Sequence, residues 1–199
     1  MKKKMTSTES EALTEENAVA RASQGDSEAF SLLYELNVSR IYNYVYYRVG
    51  SEMDAEDITS RVFFRAFGHI SNYVDKGVPF SAWLYRIAHN LIANWHRDNS
   101  RRKELSLDEH IDLPQRIELP ESALEETQEI EILLKCIRAL PDDRQQLLVL
   151  KFTEHLSNAE IAVIMKRSEG AIKSLYHRSL ISLKEEIKKS GKEIAILEE

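Results

Sequence analysis

Trp83, Arg86, Asn90 and Arg97 recur at intervals that place them on one stripe of a helix, opposite Leu84, Ala88, Leu91 and Trp95. An indole, two guanidiniums and a carboxamide in one row have the chemistry to stack on, and hydrogen-bond to, bases that have left a duplex. Arg101, Arg102 and Lys103 follow directly and add attraction for phosphates. This is chemistry for single strands. The alternative is that Trp83 and Tyr85 complete the core where the helix meets a loop.

A second constellation lies near the C-terminus. Gly170, Lys173, Ser174, His177 and Arg178 spread over one arc of a helix whose other side groups Ile172, Tyr176, Leu180, Leu183 and Ile187. Lys and Arg favour guanine acceptors and phosphates, and Ser adapts to several bases, so this arc suits an intact groove. Every amphipathic helix has a polar outer face. What favours DNA here is the preceding segment: Ser157 with Glu160 three residues later is a capping box, and Met165-Lys166-Arg167 makes a tight turn before Ser168 caps the longer helix. A short helix, a turn and a longer helix ended by Gly191 form a helix-turn-helix pattern.

These surfaces need positioning elements, and the apolar periodicity predicts them. Residues 16–50 hold two helices broken at Gly25-Asp26, with Asp26 or Ser27 capping the second. Gly50-Ser51 opens a helix over 52–67, with Glu52, Asp54, Glu56 and Asp57 in its first turn, favourable at the positive end of the helix dipole, and Ala55, Ile58, Val62 and Ala66 on its apolar stripe. A loop with Gly77 and Pro79 leads to the helix over 80–97. Farther on, 130–140 reads as a helix and Pro141 as the first residue of the next. Between the halves, residues 104–131 hold ten carboxylates against Arg116 alone, with Pro114 and Pro120, which marks an extended acidic connection. The expected architecture is all-α: a tail over 1–13, a helical domain over 14–102, an acidic linker over 103–128, a helix-turn-helix domain over 129–190 and a tail over 191–199.

The composition excludes other classes. The chain has 199 residues, a net charge of −6, six Gly and four Pro, a profile for helices rather than turn-dense β structure. One cysteine, Cys136, forms neither an internal disulfide nor a multi-cysteine zinc site, and reads as a small buried hydrophobe. The six histidines lack an HExxH pair, and no GxSxG, GxxxxGK or GxGxxG motif occurs, so no metal, cofactor or catalytic centre is expected. The longest apolar run, Ile161 to Met165, is far short of the roughly 20 residues of a membrane span. After Met1-Lys2-Lys3-Lys4-Met5, Thr6-Ser7-Thr8-Glu9 stands where a signal peptide needs apolar residues, so a cytoplasmic location is expected.

The block Asp54-Ala55-Glu56-Asp57-Ile58-Thr59 with Phe63, followed by Phe80-Ser81-Ala82-Trp83-Leu84-Tyr85-Arg86-Ile87-Ala88-His89-Asn90, resembles the second conserved region of bacterial sigma factors. Ala139-Leu140-Pro141 with Arg144, Leu156-Ser157-Asn158-Ala159-Glu160-Ile161-Ala162, and Gly170-Ala171-Ile172-Lys173-Ser174-Leu175 with Arg178 resemble the fourth. With these two regions and a linker, the chain resembles the extracytoplasmic-function (ECF) group.

The resemblance implies that the helix at Asp54 docks on core RNA polymerase through Asp54, Glu56, Asp57, Thr59 and Ser60. It implies that the loop over 72–79 and Asn90, with Trp83, Arg86, Arg97, Arg101 and Arg102, capture the unpaired minus-ten element, and that Asn158, Arg167, Lys173, Ser174, His177 and Arg178 read the minus-thirty-five duplex. The family often has Gln-Glu where this chain has Ser60-Arg61, and bulkier residues where it has Asn158 and Ala159. An anti-sigma protein is an expected partner beside core RNA polymerase and promoter DNA. In the family the linker threads toward the RNA exit path, where Glu118, Glu121, Glu125 and Glu126 would lie in a basic channel. The rival readings are a polymerase-independent helix-turn-helix regulator of duplex DNA, and an interaction protein that sequesters a partner through the acidic helix.

Overall fold

Short caps and turns set the helix boundaries. The computed structural model describes residues 14–74, 77–105 and 121–191, with backbone alone for 16, 102–105 and 121–129. Among these residues there are eight α-helices and no strand: α1 (Glu15–Ser23), α2 (Ser27–Val49), α3 (Glu52–His69), α4 (Phe80–Leu105), α5 (Glu121–Arg138), α6 (Asp142–Phe152), α7 (Asn158–Met165) and α8 (Glu169–Lys189). A single 3-10 turn, Ile70–Asn72, extends α3 toward the loop.

The caps fall where side-chain oxygens can reach the first free N–H groups. Asp26 accepts from Glu28 N and Ala29 N, Ser51 from Asp54 N, and Ser168 from Ala171 N. Ser157 and Glu160 form the reciprocal capping box. Gly50 ends α2 in the left-handed conformation at φ 76°, which permits the abrupt reversal into α3.

Three boundaries differ most from the sequence reading. Helix α4 runs to Leu105, eight residues past the expected end at Arg97 and into the start of the expected linker. Pro141 is the cap before α6 rather than its first residue; it lies at ψ 145°, outside the helical range. Helix α5 starts at Glu121, nine residues before the expected Ile130. Glutamate reads equally as a solvated linker residue and as a good helix former, and directly after Pro120 acidic residues in a first turn favour the helix. Residues 106–120, including Glu118, lie outside the described residues.

Helix α2 packs against α1, α3 and α4, and α8 packs against α5, α6 and α7. The predicted stripe of α3 is fully buried, as are Leu84 and Ala88 on α4. On α8 the buried line is Ile172, Leu175, Ser179, Leu183 and Ile187; Leu175 and Ser179 replace Tyr176 and Leu180, which are only half-buried. Ser179 enters the core because its hydroxyl donates to the Leu175 carbonyl at 2.8 Å. Cys136 is buried, and burial pushes its thiol up from the ordinary value.

The two halves touch: α2 packs on α5 and α6, and α4 on α7. Arg48, with no exposed surface, donates to Tyr44 Oη at 2.8 Å and forms an ion pair with Asp142 of α6. His89 Nε2 lies 3.6 Å from the other Asp142 oxygen. A second contact centres on Glu154, which accepts from Tyr85 Oη at 2.6 Å and from Arg40 Nε at 3.0 Å. A charge as deeply buried as Arg48 survives only with a carboxylate and further hydrogen bonds around it, so Asp142 is bound into the stability of both halves.

Candidate nucleic-acid interface

The end of α3, the 3-10 turn and the start of α4 enclose a cavity of about 340 Å3 lined by His69, Asn72, Tyr73, Val74, Val78, Trp83 and Arg86. Trp83 is half-buried, its ring 5.1 Å from that of Tyr73 and 5.5 Å from that of Phe80. Both readings of this residue therefore hold in part: it packs at the loop junction and it walls a cavity. Tyr85, in contrast, is wholly in the core. Burial and its bond to Glu154 push its phenol far above the ordinary value. The Nε of Arg86 is buried without a hydrogen-bond partner, a donor that a bound polar group would satisfy.

Arg86 also reaches a second, smaller cavity of about 170 Å3, shared by His89 and Asn90 of α4 with Gln146, Ile164, Met165 and Lys166 of the helix-turn-helix half. Asn90 is exposed. Burial first, and then the neighbouring Arg48 charge, holds His89 below its ordinary value, which favours the neutral imidazole beside Asp142. Arg97 is exposed and donates to Asn94 Oδ1 at 2.6 Å; Arg101 is exposed, and only the backbone of Arg102 is described.

On α8, Lys173, Ser174, His177 and Arg178 are all exposed. Lys173 pairs with Glu169 at 3.0 Å and Arg178 Nε donates to the Ser174 carbonyl at 3.3 Å, so both cations are held along their own helix. Arg167, in the turn, pairs with Asp143 at 3.2 Å, and Asn158 is half-buried in the first turn of α7. The turn rests on Lys166, a non-glycine residue in the left-handed region at φ 53°.

The residues expected to meet polymerase fall on two sides of α3. Glu56, Asp57 and Ser60 are exposed, Asp57 pairing with Arg61 at 3.2 Å. Asp54 is half-buried. Thr59 is buried, with Oγ1 unpartnered, against a groove of about 520 Å3 that it lines with Tyr34, Tyr42, Glu56, Ser60 and Phe63. The sequence reading missed the aromatic part of this helix: Phe64 is 79% exposed and Phe67 57%, with Met53 at 76%. Large apolar residues outside the predicted stripe were the available signal. It also missed His69 as a wall of the cavity; Tyr73 lies in the loop over 72–79 assigned to the unpaired strand, but only the fold brings both residues to Trp83.

Among the described residues no group of three or more His, Cys, Asp or Glu is placed to hold a metal ion, and no helix is long and apolar enough to cross a membrane. Comparison with known proteins supplies the rest. The family model for sigma-70 region 2 matches residues 33–102, and that for sigma-70 region 4 matches 130–183.

The chain is 38% identical over 165 residues to the ECF RNA polymerase sigma factor BldN of Streptomyces coelicolor, covering 83% of this chain and 62% of that protein. It is 32% identical over 180 residues to the ECF RNA polymerase sigma-E factor of Haemophilus influenzae, covering 85% and 93%. In fold it is similar to CnrH, solved in complex with the cytosolic domain of CnrY, at a TM-score of 0.64 and 20% identity over 88% of this chain and 97% of that one. With two region models in order on the halves that carry the α4 cavity and the α8 face, and a relative matched over nearly its whole length, the chain belongs to the ECF group of RNA polymerase sigma factors.

Proposed function

We propose that this chain directs core RNA polymerase to specific promoters and helps to open them, using two unlike DNA surfaces. Helix α3 meets the polymerase through the exposed Glu56, Asp57 and Ser60, with Asp54 and Thr59 shaping the surface behind them. The α4 cavity takes an unstacked base of the minus-ten element: Tyr73 and Trp83 supply stacking faces and Arg86 a donor, Asn90 contacts the strand from the neighbouring cavity on the same helix, and Arg97, Arg101 and Arg102 follow the backbone. Helix α8 enters the major groove at the minus-thirty-five element with Lys173, Ser174, His177 and Arg178, while Asn158 and Arg167 touch phosphates.

The observation that carries this reading is the aromatic-walled cavity beside an unpartnered, buried Arg86 Nε. A regulator confined to duplex DNA has no use for such a cavity. Flipping a base costs a few kcal/mol, and stacking at about 1–3 kcal/mol per base offsets it.

The chain contributes no phosphodiester chemistry of its own in this reading, acts in the cytoplasm, and is held inactive by an anti-sigma protein. Run-off transcription with purified core enzyme on a promoter library tests it. Specific initiation only in the presence of this chain is the expected result. Tight duplex binding without core, and no initiation, would establish the polymerase-independent regulator instead.

A further inference from the structure

At the seam between the two halves lies a third cavity, of about 200 Å3, lined by Arg48, Trp95, His96, Asn99, Ser100 and Arg138. It holds roughly seven times a water molecule's share of liquid volume, about 30 Å3. Its lining carries two guanidiniums, an imidazole, an amide and a hydroxyl, and no carboxylate.

Arg48 engages Tyr44 and Asp142 through its terminal nitrogens, yet its Nε is buried without a partner, and so is Nε2 of His96. Arg138 has only a long bond to the Tyr47 carbonyl, 3.4 Å, and among the described residues no carboxylate lies within ion-pair distance of it. It is nonetheless half-buried, with its guanidinium against Gly50 so closely that a Cβ there would stand 3.0 Å from Cζ. Burial holds Arg138 below its ordinary value, outweighing the opposite pull of the Tyr46 phenol and the Glu131 carboxylate, neither of which pairs with it directly.

Two buried nitrogens without partners and a guanidinium with no ion pair among the described residues thus meet at a cavity whose lining holds no carboxylate. Planar guanidiniums match tetrahedral oxyanions, and charge-assisted bonds to phosphate are among the strong ones. We propose that this cavity binds a small phosphate-bearing anion. Arg48 and His96 belong to the first half and Arg138 to the second, so the anion bridges the seam and stabilises the packed arrangement of the two. By linkage, separation of the halves releases it.

The test is isothermal titration of the full chain at low ionic strength with inorganic phosphate, pyrophosphate and ADP, paired with fluorescence energy transfer between labels on α3 and α8. Saturable one-site binding, with the labels drawn into a single closed population, is expected. ADP binding more tightly than pyrophosphate identifies a nucleotide as the source of the phosphate; the reverse identifies the free anion. Arg138→Gln should weaken pyrophosphate binding about tenfold or more, the loss of a charge-assisted hydrogen bond.

Lys184→Gln, exposed on α8, should leave binding unchanged. His96→Asn guards against a folding defect in the first variant, since it keeps a small polar side chain and should also weaken binding. Absence of saturable binding in all three arms overturns the proposal. Equal affinity in Arg138→Gln does so too. Polymerase and promoter are absent from the measurement, so its outcome is separate from that of run-off transcription.

Discussion

The two DNA-facing surfaces are built in opposite ways. On α8 the reading face belongs to one helix: its cap, its cations and the carboxylate that steadies Lys173 all lie within ten residues of each other. On α4 the face is a composite. Trp83 needs Tyr73 and Phe80 beside it, the cavity needs His69 from the end of α3, and Asn90 shares its surroundings with Lys166 of the other half. A surface that reads an intact groove needs only side chains on a rod, because the duplex supplies the shape. A surface that takes a base out of the stack must itself supply walls, and walls come from tertiary structure. Function and stability should therefore separate on α8 and coincide on α4.

The strongest way to break that contrast is through the seam. Asp142→Asn leaves the wholly buried Arg48 without a carboxylate and should cost about 3 kcal/mol of stability, or part the two halves. Hydrogen exchange should show α6 losing protection while Lys173 to Arg178 of α8 keep it. Uniform loss along both helices would mean that the α8 face depends on tertiary support as much as the α4 face does.

Next in size, Trp83→Ala removes both a wall and a packing partner. Urea unfolding should register about 2 kcal/mol, since the ring is half-buried. Initiation should fall about ten- to a hundredfold, one stacking contact of about 1–3 kcal/mol. Unchanged stability would show that the ring projects from the fold rather than completing it. The matching change on α8, Arg178→Ala, should leave unfolding within about 0.5 kcal/mol of the parent. It should relax preference at one minus-thirty-five base pair by about 1–3 kcal/mol in a competition binding assay. A destabilised Arg178→Ala would erase the distinction.

Legibility follows the same division. Asp26, Ser51, Ser157 and Ser168 announce their helices because a cap is a local event within three residues, and the α8 face follows from one helix period. The Arg48–Asp142 pair spans 94 residues and the Arg40–Glu154 pair 114, and no spacing rule connects such positions. The same distance hid the Arg48, His96 and Arg138 cluster, whose members look like ordinary helix cations one at a time. The early start of α5 escaped for a different reason: Glu121, Glu125 and Glu126 satisfy the patterns of a linker and a helix equally.

The smallest expected effect sharpens the contrast through pH. Burial and the Arg48 charge hold His89 and His96 below the ordinary 6.5. The unfolded chain thus binds more protons than the folded one just below that value. Stability should fall as pH drops from about 6.5 toward the depressed folded values, then level off. Asp26 and Glu160 are lowered instead, mainly by hydrogen bonds at their caps, and their contributions fade only as pH falls below the ordinary 3.8 and 4.5. Urea midpoints across this range should show two separate declines. The double variant His89→Asn with His96→Asn should remove only the upper one. A persistent upper decline in that variant would place the titrating groups elsewhere.

Phe64, held almost entirely in water on α3 with Phe67 and Met53 also uncovered, has a consequence for abundance. A free chain that displays these rings is prone to self-association, so its solubility sets a ceiling on how much can accumulate before something covers that helix. Yield on expression should therefore rise more from supplying a companion that shields α3 than from any improvement to the core.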